Sequence, residues 1–352
     1  MPPANPRRAL VIKLGHIGDV LVTTPVFTAL KQAYPEIETT ALVNQGTEDM
    51  VANSPFVDRV LVLKRRQTGG LEAARFQLGL LRKLRAGRFD LALELSGGDR
   101  GAFLTWASGA RLRVGFAPKK PHLRARAFHL LADGRGTANH VVETFLRQVR
   151  LLGIEPEDTR LRLFPGAQAR ERAAALLAEH GLPEQGYALI HPTSRWMFKT
   201  WTPEGNARVV EHLRAKGLAV ILSAAPAEHE RAFVARIMEL LGDRAGVADL
   251  SGRLDLALLA ALLERARIFF GVDSAPMHMA AALGTPVAVL FGPSGERMWG
   301  PWRVASEVIT LDEPCRPCGR DGCEGSKVSR CLTGINPELA AQALDRLLAR
   351  TA

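Results

Sequence analysis

Short aliphatic runs alternate with amphipathic stretches along most of the chain, and this alternation constrains the fold more than any other feature. Strands separated by helical stretches pair in parallel, because each return crossing places a helix on one face of the sheet. The pattern runs through the chain twice, so the sequence predicts an α/β protein with two doubly wound domains. The predicted strands are residues 9–14, 40–43, 60–63, 89–95, 187–191, 218–223, 267–272 and 286–291.

The chain has 352 residues, enough for two domains of roughly 100 to 200 residues each. The loop at residues 164–166 separates the two patterns, so we expect an N-terminal domain over residues 1–165 and a C-terminal domain over residues 166–335. Asn336 followed by Pro337 is typical of a helix start, because asparagine caps the first turn and proline fits the first helical position. We expect residues 336–352 to form a C-terminal helix.

Composition narrows the class of protein. Hydrophobic residues make up 47% of the chain and charged residues 23%, as in ordinary globular proteins. The longest aliphatic run, residues 256–263, is far shorter than the ~20 residues of a membrane span. The apolar run near the N-terminus is too short for a signal peptide. We therefore expect a cytoplasmic protein.

Positive charge is concentrated in the first half. Residues 1–165 contain 25 Lys and Arg against 15 Asp and Glu, whereas residues 166–352 contain 21 of each. Such a basic surface suits an anionic partner, either a phosphorylated substrate, nucleic acid or an acidic membrane, and the alternative is a surface that only confers solubility. We select Lys64, Arg65 and Arg66 as candidate acceptor-binding residues.

Ligands of open α/β sheets bind beyond the carboxyl ends of the strands, and three loops in that position have unusual sequences. The first, GHIGD at residues 15–19, lacks the third glycine of the dinucleotide fingerprint and places an acid at a helix start, which argues against nicotinamide binding. Asp19 either stabilises the helix start or acts as a catalytic carboxylate. The spacing that follows predicts one helix over residues 20–34, with Pro25 tolerated near its start.

The second loop, HPTSRWMFKTW at residues 191–201, crowds hydroxyls, two cations and two tryptophans together. The hydroxyls of Thr193 and Ser194 can hold phosphate oxygens, together with nearby backbone amides. Lys199 supplies a compact charge and Arg195 a bidentate fork. The alternative is a surface loop anchored by its tryptophans, but the crowding of anion-binding groups favours a phosphate-binding loop.

The third loop, DSAPMH at residues 273–278, joins a turn of small residues to a helix start. Small residues let a ligand approach the helix amides closely, and the helix start favours an anion. Asp273 would hold ligand hydroxyls or cap the helix, and Ser274 with the following amides would face a phosphate. His278 lies one turn later.

Three segments taken together, GHIGDVLVTTPVFTALK, HPTSRWMFKTW and GVDSAPMHMAAALGTPVAVLFGP, resemble glycosyltransferase family 9, the ADP-heptose:lipopolysaccharide heptosyltransferases of Gram-negative bacteria. The similarity spans nearly the whole chain. The PTxRxxFKxW pattern and the CRPCGRDGC segment are most similar to the heptosyltransferase III branch.

The resemblance implies a GT-B fold, in which two Rossmann-like domains face a cleft, with the acceptor on the first domain and the nucleotide-sugar on the second. It implies Asp19 as the catalytic base and Lys199 as a catalytic cation at the donor diphosphate. Ala275 stands where some relatives have glycine, which narrows the approach to its amide slightly. The donor-binding set is Thr193, Ser194, Arg195, Lys199, Asp273, Ser274, Ala275 and His278.

Four cysteines lie close together near the C-terminus, at Cys315, Cys318, Cys323 and Cys331. Disulfides are disfavoured in a cytoplasmic protein. Four thiolates would complete a closed zinc site, although the spacings are not those of a standard zinc finger. The alternatives are a structural zinc and reduced thiols, with an iron-sulfur centre less favoured. We expect no cofactor in the chemistry itself, because no Asp-x-Asp pair occurs at a matching strand end.

The resemblance thus implies an inverting glycosyltransferase that moves heptose from ADP-heptose to the phosphorylated inner core of lipopolysaccharide. We expect it to be peripheral on the inner face of the inner membrane, at the acidic membrane surface. The alternative within enzymes is transfer from another nucleotide-sugar. A basic nucleic-acid-binding protein with a cysteine zinc site is disfavoured. Its charge and cysteines would lie in opposite halves, and the cysteine segment has no aromatic residue to stack on bases.

Overall fold

The computed structural model describes residues 5–64, 70–118, 122–134 and 140–351. The chain divides into two compact units, an N-terminal unit (Met1–Phe164) and a C-terminal unit (Pro165–Ala352). Each unit is a parallel sheet covered by helices. The prediction of an α/β protein with two doubly wound units is therefore confirmed.

The sheet of the N-terminal unit has six strands among the residues described, in the order β3-β2-β1-β4-β5-β6. The central strand β1 is buried from its second residue onward, as expected of a strand that is covered on both faces. Its neighbours β2 and β4 end at the same edge of the sheet. The strands are β1 (Arg8–Lys13), β2 (Glu38–Asn44), β3 (Arg59–Leu63), β4 (Leu91–Glu94), β5 (Leu112–Phe116) and β6 (Leu130–Ala132).

Helices of the N-terminal unit pack on this sheet in pairs. They are α1 (Ile17–Leu21), α2 (Thr24–Ala33), α3 (Leu71–Ala86), α4 (Asp99–Ser108) and α5 (Val141–Arg150). Helix α2 packs against α5, and α3 packs against α4. Leu84 of α3 and Leu104 of α4 share one apolar core with Leu10 and Ile12 of β1, so the inner faces of α3 and α4 are fixed on the sheet.

The structure corrects the prediction of a single helix over residues 20–34. Helix α1 ends at Leu21 and α2 begins at Thr24. Pro25 has no N–H to donate to the Leu21 carbonyl, so a continuous helix would leave that carbonyl without its usual partner. The Thr24 hydroxyl donates to the Leu21 carbonyl instead, at 2.8 Å. The break leaves α1 as a short separate turn directly after β1.

The C-terminal unit repeats the architecture with a second parallel sheet of six strands among its described residues, in the order β12-β11-β10-β7-β8-β9. The middle strands β7, β10 and β11 are buried along their whole length. The strands are β7 (Tyr187–His191), β8 (Ala219–Leu222), β9 (Val247–Asp249), β10 (Ile268–Val272), β11 (Val287–Leu290) and β12 (Ser306–Ile309).

The helices of this unit are α6 (Ala167–Glu179), α7 (Pro203–Ala215), α8 (Glu228–Leu240), α9 (Leu256–Arg265), α10 (Ala275–Leu283), α11 (Glu296–Trp299), α12 (Arg330–Thr333) and α13 (Pro337–Arg350). The Asn336 side chain caps α13 by accepting the Glu338 N–H at 3.1 Å, as its sequence predicts. Helix α13 packs against α7, β11 and β12, so the final helix belongs to the C-terminal unit. Across the described ranges, no helix is both long and apolar enough to span a membrane.

Candidate active site

Strands β7, β10 and β11 are neighbours in the second sheet, so the loops that follow them leave the same edge side by side. Gly271 lets β10 lie close to β7, because a β-carbon at that position would come within 2.6 Å of the His191 carbonyl oxygen. The loops after these three strands contain the phosphate-binding candidates of the sequence.

An ion pair joins two of these loops. The Lys199 Nζ lies 2.6 Å from Asp273 Oδ2, and the Ser294 hydroxyl donates to the same carboxylate oxygen at 2.5 Å. The Asp273 side chain is 9% exposed and that of Lys199 is 22% exposed. The buried carboxylate therefore holds the ammonium group at the surface of the site, where a bound diphosphate can reach it.

The hydroxyls of the second loop differ in what they can offer a ligand. Thr193 is fully buried, and its hydroxyl donates to Glu230 Oε2 at 2.7 Å. Since a hydroxyl has one hydrogen, this bond leaves none for a phosphate. The Ser194 oxygen accepts the Trp196 N–H at 3.3 Å, so its own hydrogen can be directed to another acceptor.

Arg195 is exposed, and its guanidinium lies 5.3 Å from the centre of the Trp196 ring. A cation over an aromatic face is held by the ring quadrupole. The structure therefore places Arg195 at the outer side of the loop, whereas Lys199 points to the Asp273 side.

The third loop leads into α10, where Pro276 has no N–H and the Met277 N–H donates to the Ser274 carbonyl at 3.2 Å. Ser274 makes no side-chain cap of α10, and its hydroxyl donates to the Val272 carbonyl at 3.2 Å. Ala275 is partly exposed, and the helix start favours an anion there. His278 is buried within the first turns and lies edge-on to Trp299, with ring centres 6.4 Å apart.

His191, at the end of β7, is a neutral neighbour of this site. Its Nδ1 lies 3.0 Å from the Ser223 hydroxyl oxygen, and burial lowers the pKa of His191 to about 4. At neutral pH the imidazole is uncharged, so His191 adds no positive charge to this edge.

In the N-terminal unit, Asp19 lies in α1, directly beyond the end of β1. Its Oδ2 accepts the His16 N–H at 2.9 Å, which stabilises the helix start as expected of an acid there. A side chain at position 15 would come within 2.6 Å of the Asp19 β-carbon, so Gly15 is required for this close turn. The Asn44 amide fixes the turn further by donating to the Gly15 carbonyl at 3.1 Å.

Lys13 is the cation nearest the Asp19 carboxylate among the ion pairs of the described chain, with Nζ 3.8 Å from Oδ1. The Lys13 side chain is 10% exposed and that of Asp19 is 27% exposed. The ammonium group donates to the Leu95 carbonyl at 3.2 Å and lies 4.4 Å from the centre of the Phe145 ring. Burial lowers the pKa of Lys13, while Asp19 and Glu94 act in the opposite direction.

Glu94 completes this group from the neighbouring strand β4. Its two carboxylate oxygens accept the N–H groups of Ser96 and Gly97 at 2.8 and 2.9 Å. Burial raises the pKa of Glu94, and these bonds with the Lys13 charge lower it in part. Glu94 is 1% exposed, so its charge stabilises the Lys13 ammonium group from inside the protein. Asp19 is therefore the more accessible carboxylate of the two.

The basic residues of the first half separate into two places. Lys64 follows β3 at the same edge as Asp19, with its Nζ 5.7 Å from the centre of the Phe76 ring, whereas Arg65 and Arg66 lie outside the described residues. Lys83 lines a cavity of about 320 Å³ with Arg8 and Arg59, at the amino ends of the strands. That second group cannot share a site with Asp19, since it lies at the opposite edge of the sheet.

The four cysteines are reduced and surround one cavity of about 250 Å³ in the C-terminal unit. Cys331 is buried, and the other three are intermediate or exposed. Burial raises the pKa of the Cys331 thiol, Arg316 lowers it, and the other three thiols raise it further. Within the described residues, no group of three or more His, Cys, Asp or Glu side chains is already arranged to hold a metal ion.

Sequence reasoning missed Lys13, Glu94, Glu230 and Ser294. Ser294 had an available signal, because it follows the predicted strand at residues 286–291 and so lies at the same edge as the two selected loops. Lys13 and Glu94 lie inside predicted strands, so the sequence assigned them to the sheet and not to a site. Glu230 gave no signal, since it belongs to an ordinary amphipathic helix.

Comparisons with known proteins agree on one family. The sequence profile of glycosyltransferase family 9 (heptosyltransferase) matches residues 77–329. Lipopolysaccharide heptosyltransferase 3 of Escherichia coli K12 is 30% identical over 287 residues, which are 81% of this chain and 82% of that protein.

Two solved structures share the fold. A glycosyltransferase family 9 structure from Veillonella parvula gives a TM-score of 0.83 at 22% identity, covering 98% of this chain and 97% of that one. E. coli heptosyltransferase WaaC with ADP-2-deoxy-2-fluoro heptose gives a TM-score of 0.73 at 22% identity, covering 98% of this chain and 100% of that one.

Proposed function

The chain belongs to glycosyltransferase family 9, and we propose that it transfers a heptose from ADP-heptose to the phosphorylated inner core of lipopolysaccharide, with inversion at the anomeric carbon. The observation that carries this proposal is the likeness over four fifths of the chain to a protein named lipopolysaccharide heptosyltransferase 3. The ADP-heptose analogue in the E. coli WaaC structure supports the choice of donor.

On the donor side, Lys199 meets the diphosphate that leaves with ADP. The ammonium group is held 2.6 Å from the buried Asp273 carboxylate, so its position is fixed before substrate binds. Ser194 and the Ala275 N–H at the start of α10 are proposed to hold phosphate oxygens. Ser274 is proposed to join them by turning its hydroxyl hydrogen from the Val272 carbonyl to the ligand, and Asp273 or His278 to contact the sugar and nucleotide. Charge placed in advance where negative charge develops lowers the barrier most effectively.

Thr193 and Arg195 have supporting roles in this scheme. Thr193 fixes the loop from inside through its bond to Glu230 and contributes its backbone to the phosphate site. Arg195 lies on the outer side, where its fork can meet an exposed part of the donor.

On the acceptor side, Asp19 is the general base. Its carboxylate takes the proton of the acceptor hydroxyl while that oxygen forms a bond to the anomeric carbon. The bond from the anomeric carbon to the donor phosphate oxygen breaks, and ADP leaves with the electron pair. The proton ends on Asp19 and the negative charge on ADP, so this step is a direct displacement and needs no cofactor.

The two sites belong to different units, so the reaction requires that the acceptor on the N-terminal unit meets the donor on the C-terminal unit. Lys64, with Arg65 and Arg66, is proposed to hold phosphates of the acceptor, because Lys64 lies at the same sheet edge as Asp19. An acceptor embedded in the inner membrane places the enzyme on its inner face as a peripheral protein.

Turnover with ADP-heptose against other ADP-sugars, on a lipopolysaccharide inner-core acceptor, tests this proposal. We expect ADP-heptose to be preferred by at least ~100-fold in kcat/KM, because a site that binds substrate hydroxyls rejects analogues that lack them. Equal turnover with another nucleotide-sugar would favour the rival transferase. Tight binding of an oligonucleotide with weak binding of ADP would instead favour a nucleic-acid-binding protein.

We also propose that the cysteine segment is a structural unit that closes around one zinc ion. Four thiols around one cavity match zinc in ligand type and number, and zinc binding would draw them into a tetrahedral arrangement. Metal analysis of protein purified without added zinc should find close to one equivalent. Less than ~0.2 equivalents would argue against a tight site.

Replacing Cys315 and Cys318 with serine should lower the melting temperature and change turnover of the remaining folded enzyme little, because the cluster lies outside the proposed chemistry. Thermal unfolding and turnover, measured together, separate these effects. Stable protein with abolished turnover would contradict a structural role.

A further inference from the structure

A surface of the N-terminal unit combines exposed aromatic and aliphatic side chains with cations. On α4, Phe103 and Trp106 are 51% and 57% exposed. Leu78 of α3 and Leu123, at the start of a 3-10 turn over Leu123–Ala127, are also exposed. Single exposed apolar residues are ordinary, but α4 packs against both α3 and this turn, so these four lie on adjoining elements. We refer to the outer sides of α3, α4 and this turn as the α3-α4 surface.

The apolar side chains of this surface are not part of the core. Leu104 and Thr105 of α4 are buried against the sheet, whereas Phe103 and Trp106 occupy the outer side of the same helix, one turn apart. Their rings contact each other, with centres 6.2 Å apart, and both stay half exposed. The exposure of two large aromatic rings to water is unfavourable, and contact with an apolar medium would remove that cost.

Cations flank these residues at helical spacing. Arg75, Arg82 and Arg85 share the exposed side of α3 with Leu78, at intervals of three or four residues. Arg100 precedes Phe103 by one turn of α4. The Arg85 guanidinium lies against Gly109 at the end of α4, so the C-terminal ends of the two helices are level.

The charge balance of the surface is strongly positive. Apart from Lys83, which lines the cavity at the amino ends of the strands, helices α3 and α4 and the 3-10 turn contain six arginines against two acids, Glu72 and Asp99. Asp99 lies 3.6 Å from Arg124 and 3.8 Å from His122, so part of its charge is already balanced. An occupant of this surface must therefore combine negative charge with an apolar layer.

We propose that the α3-α4 surface docks the protein on an anionic lipid bilayer, with Phe103 and Trp106 at the boundary between headgroups and acyl chains. Aromatic rings favour that boundary, and each nearby cation adds attraction to acidic headgroups. Nucleic acid would satisfy the cations but leave the aliphatic Leu78 and Leu123 in water. This inference rests on the membrane location in the proposed function and deepens it by naming the surface that docks. Vesicle binding is measured without turnover, so it can fail while the proposed transfer reaction stands.

Vesicle cosedimentation tests the surface directly. The wild-type chain should bind vesicles of phosphatidylethanolamine with phosphatidylglycerol, bind vesicles of phosphatidylcholine weakly, and dissociate as salt is raised. The double variant Phe103→Ser/Trp106→Ser should bind the acidic vesicles at least ~10-fold more weakly. Arg82→Gln and Arg100→Gln should each weaken binding by roughly fivefold.

Leu339→Ser is the matched control, since Leu339 is an exposed apolar residue on α13 of the other unit, and its vesicle binding should equal that of the wild type. The melting temperature and the far-UV circular dichroism spectrum should be unchanged in every variant, which shows that each has folded. Unchanged vesicle binding by the double variant, or equal binding to both vesicle types, would overturn the proposal. Self-association through this surface would also overturn the proposal. In that case the wild-type chain would form a dimer and bind no vesicles, and sedimentation velocity would show that the double variant has lost the dimer.

Discussion

The proposed donor site and the proposed acceptor site use the same pair of groups in opposite ways. In the C-terminal unit, Lys199 and Asp273 lie 2.6 Å apart, with the carboxylate 9% and the lysine 22% exposed. In the N-terminal unit, Lys13 and Asp19 lie 3.8 Å apart, with the lysine 10% and the carboxylate 27% exposed. Each site buries one partner and presents the other.

The difference indicates which group meets the substrate. A buried charge is fixed by its surroundings and costs desolvation free energy, which the partner offsets in part. The exposed partner keeps access to solvent and ligand. The C-terminal unit thus presents a cation, which suits a leaving diphosphate, and the N-terminal unit presents a carboxylate, which suits a hydroxyl proton.

The largest effect is expected from Asp19→Asn. General bases typically contribute ~10² to 10⁴ in rate, so turnover should fall by at least ~100-fold. Asparagine can still accept the His16 N–H, so the melting temperature should change little. If Asp19 only stabilises the helix start, the variant should instead lose some stability and keep turnover within threefold of the wild type.

A smaller but still large effect is expected from Lys199→Ala. Loss of one preorganised electrostatic group typically costs ~10² to 10³ in turnover, a range whose upper end lies below that of a general base, and the buried Asp273 loses its ion-pair partner as well. Lys216→Ala is a suitable control, because Lys216 forms a 2.9 Å ion pair with Asp345 elsewhere in the same unit. Steady-state kinetics on both variants decide the matter, and near-normal rates in Lys199→Ala would remove this residue from the mechanism.

The smallest effect is expected from Lys13→Met, which tests the buried partner of Asp19. Methionine removes the ammonium group that lies 3.8 Å from Asp19 Oδ1, so the carboxylate loses a neighbouring charge that helps to hold it in place. We expect kcat to fall severalfold, and the melting temperature measured on the same variant shows how much of the loss comes from the fold.

Lys31→Met serves as the comparison for this variant, since Lys31 forms a 2.8 Å ion pair with Asp58 away from the site. Its kcat should equal that of the wild type. A wild-type kcat together with a lower melting temperature in Lys13→Met would mean that Lys13 supports the fold and not the base.

Burial also explains which strands the sequence could predict. Continuous aliphatic runs mark buried strands, so the eight predicted strands are confirmed within a few residues. The remaining four, β5, β6, β9 and β12, lie toward the edges of the sheets. Three of them are three or four residues long and only partly buried, so they lack a continuous apolar signal.

The sequence could not predict which side chains form ion pairs, and the reason is different. The two loops that carry Lys199 and Asp273 were predicted to lie at one edge, because the topology brings strand ends together. Which side-chain atoms come into contact depends on the length and rotamer of each side chain, and the sequence does not give these. Lys13 lies inside a predicted strand, so nothing in the sequence marked it as part of a site. The break between α1 and α2 depended on a hydroxyl that replaces the N–H missing from proline.

The most direct test of the division between the two units is ADP titration by calorimetry into Asp19→Asn and Lys199→Ala. We predict that Asp19→Asn binds ADP with wild-type affinity although its turnover has collapsed, and that Lys199→Ala binds ADP at least ~10-fold more weakly. Loss of ADP affinity in Asp19→Asn, with wild-type affinity in Lys199→Ala, would contradict it.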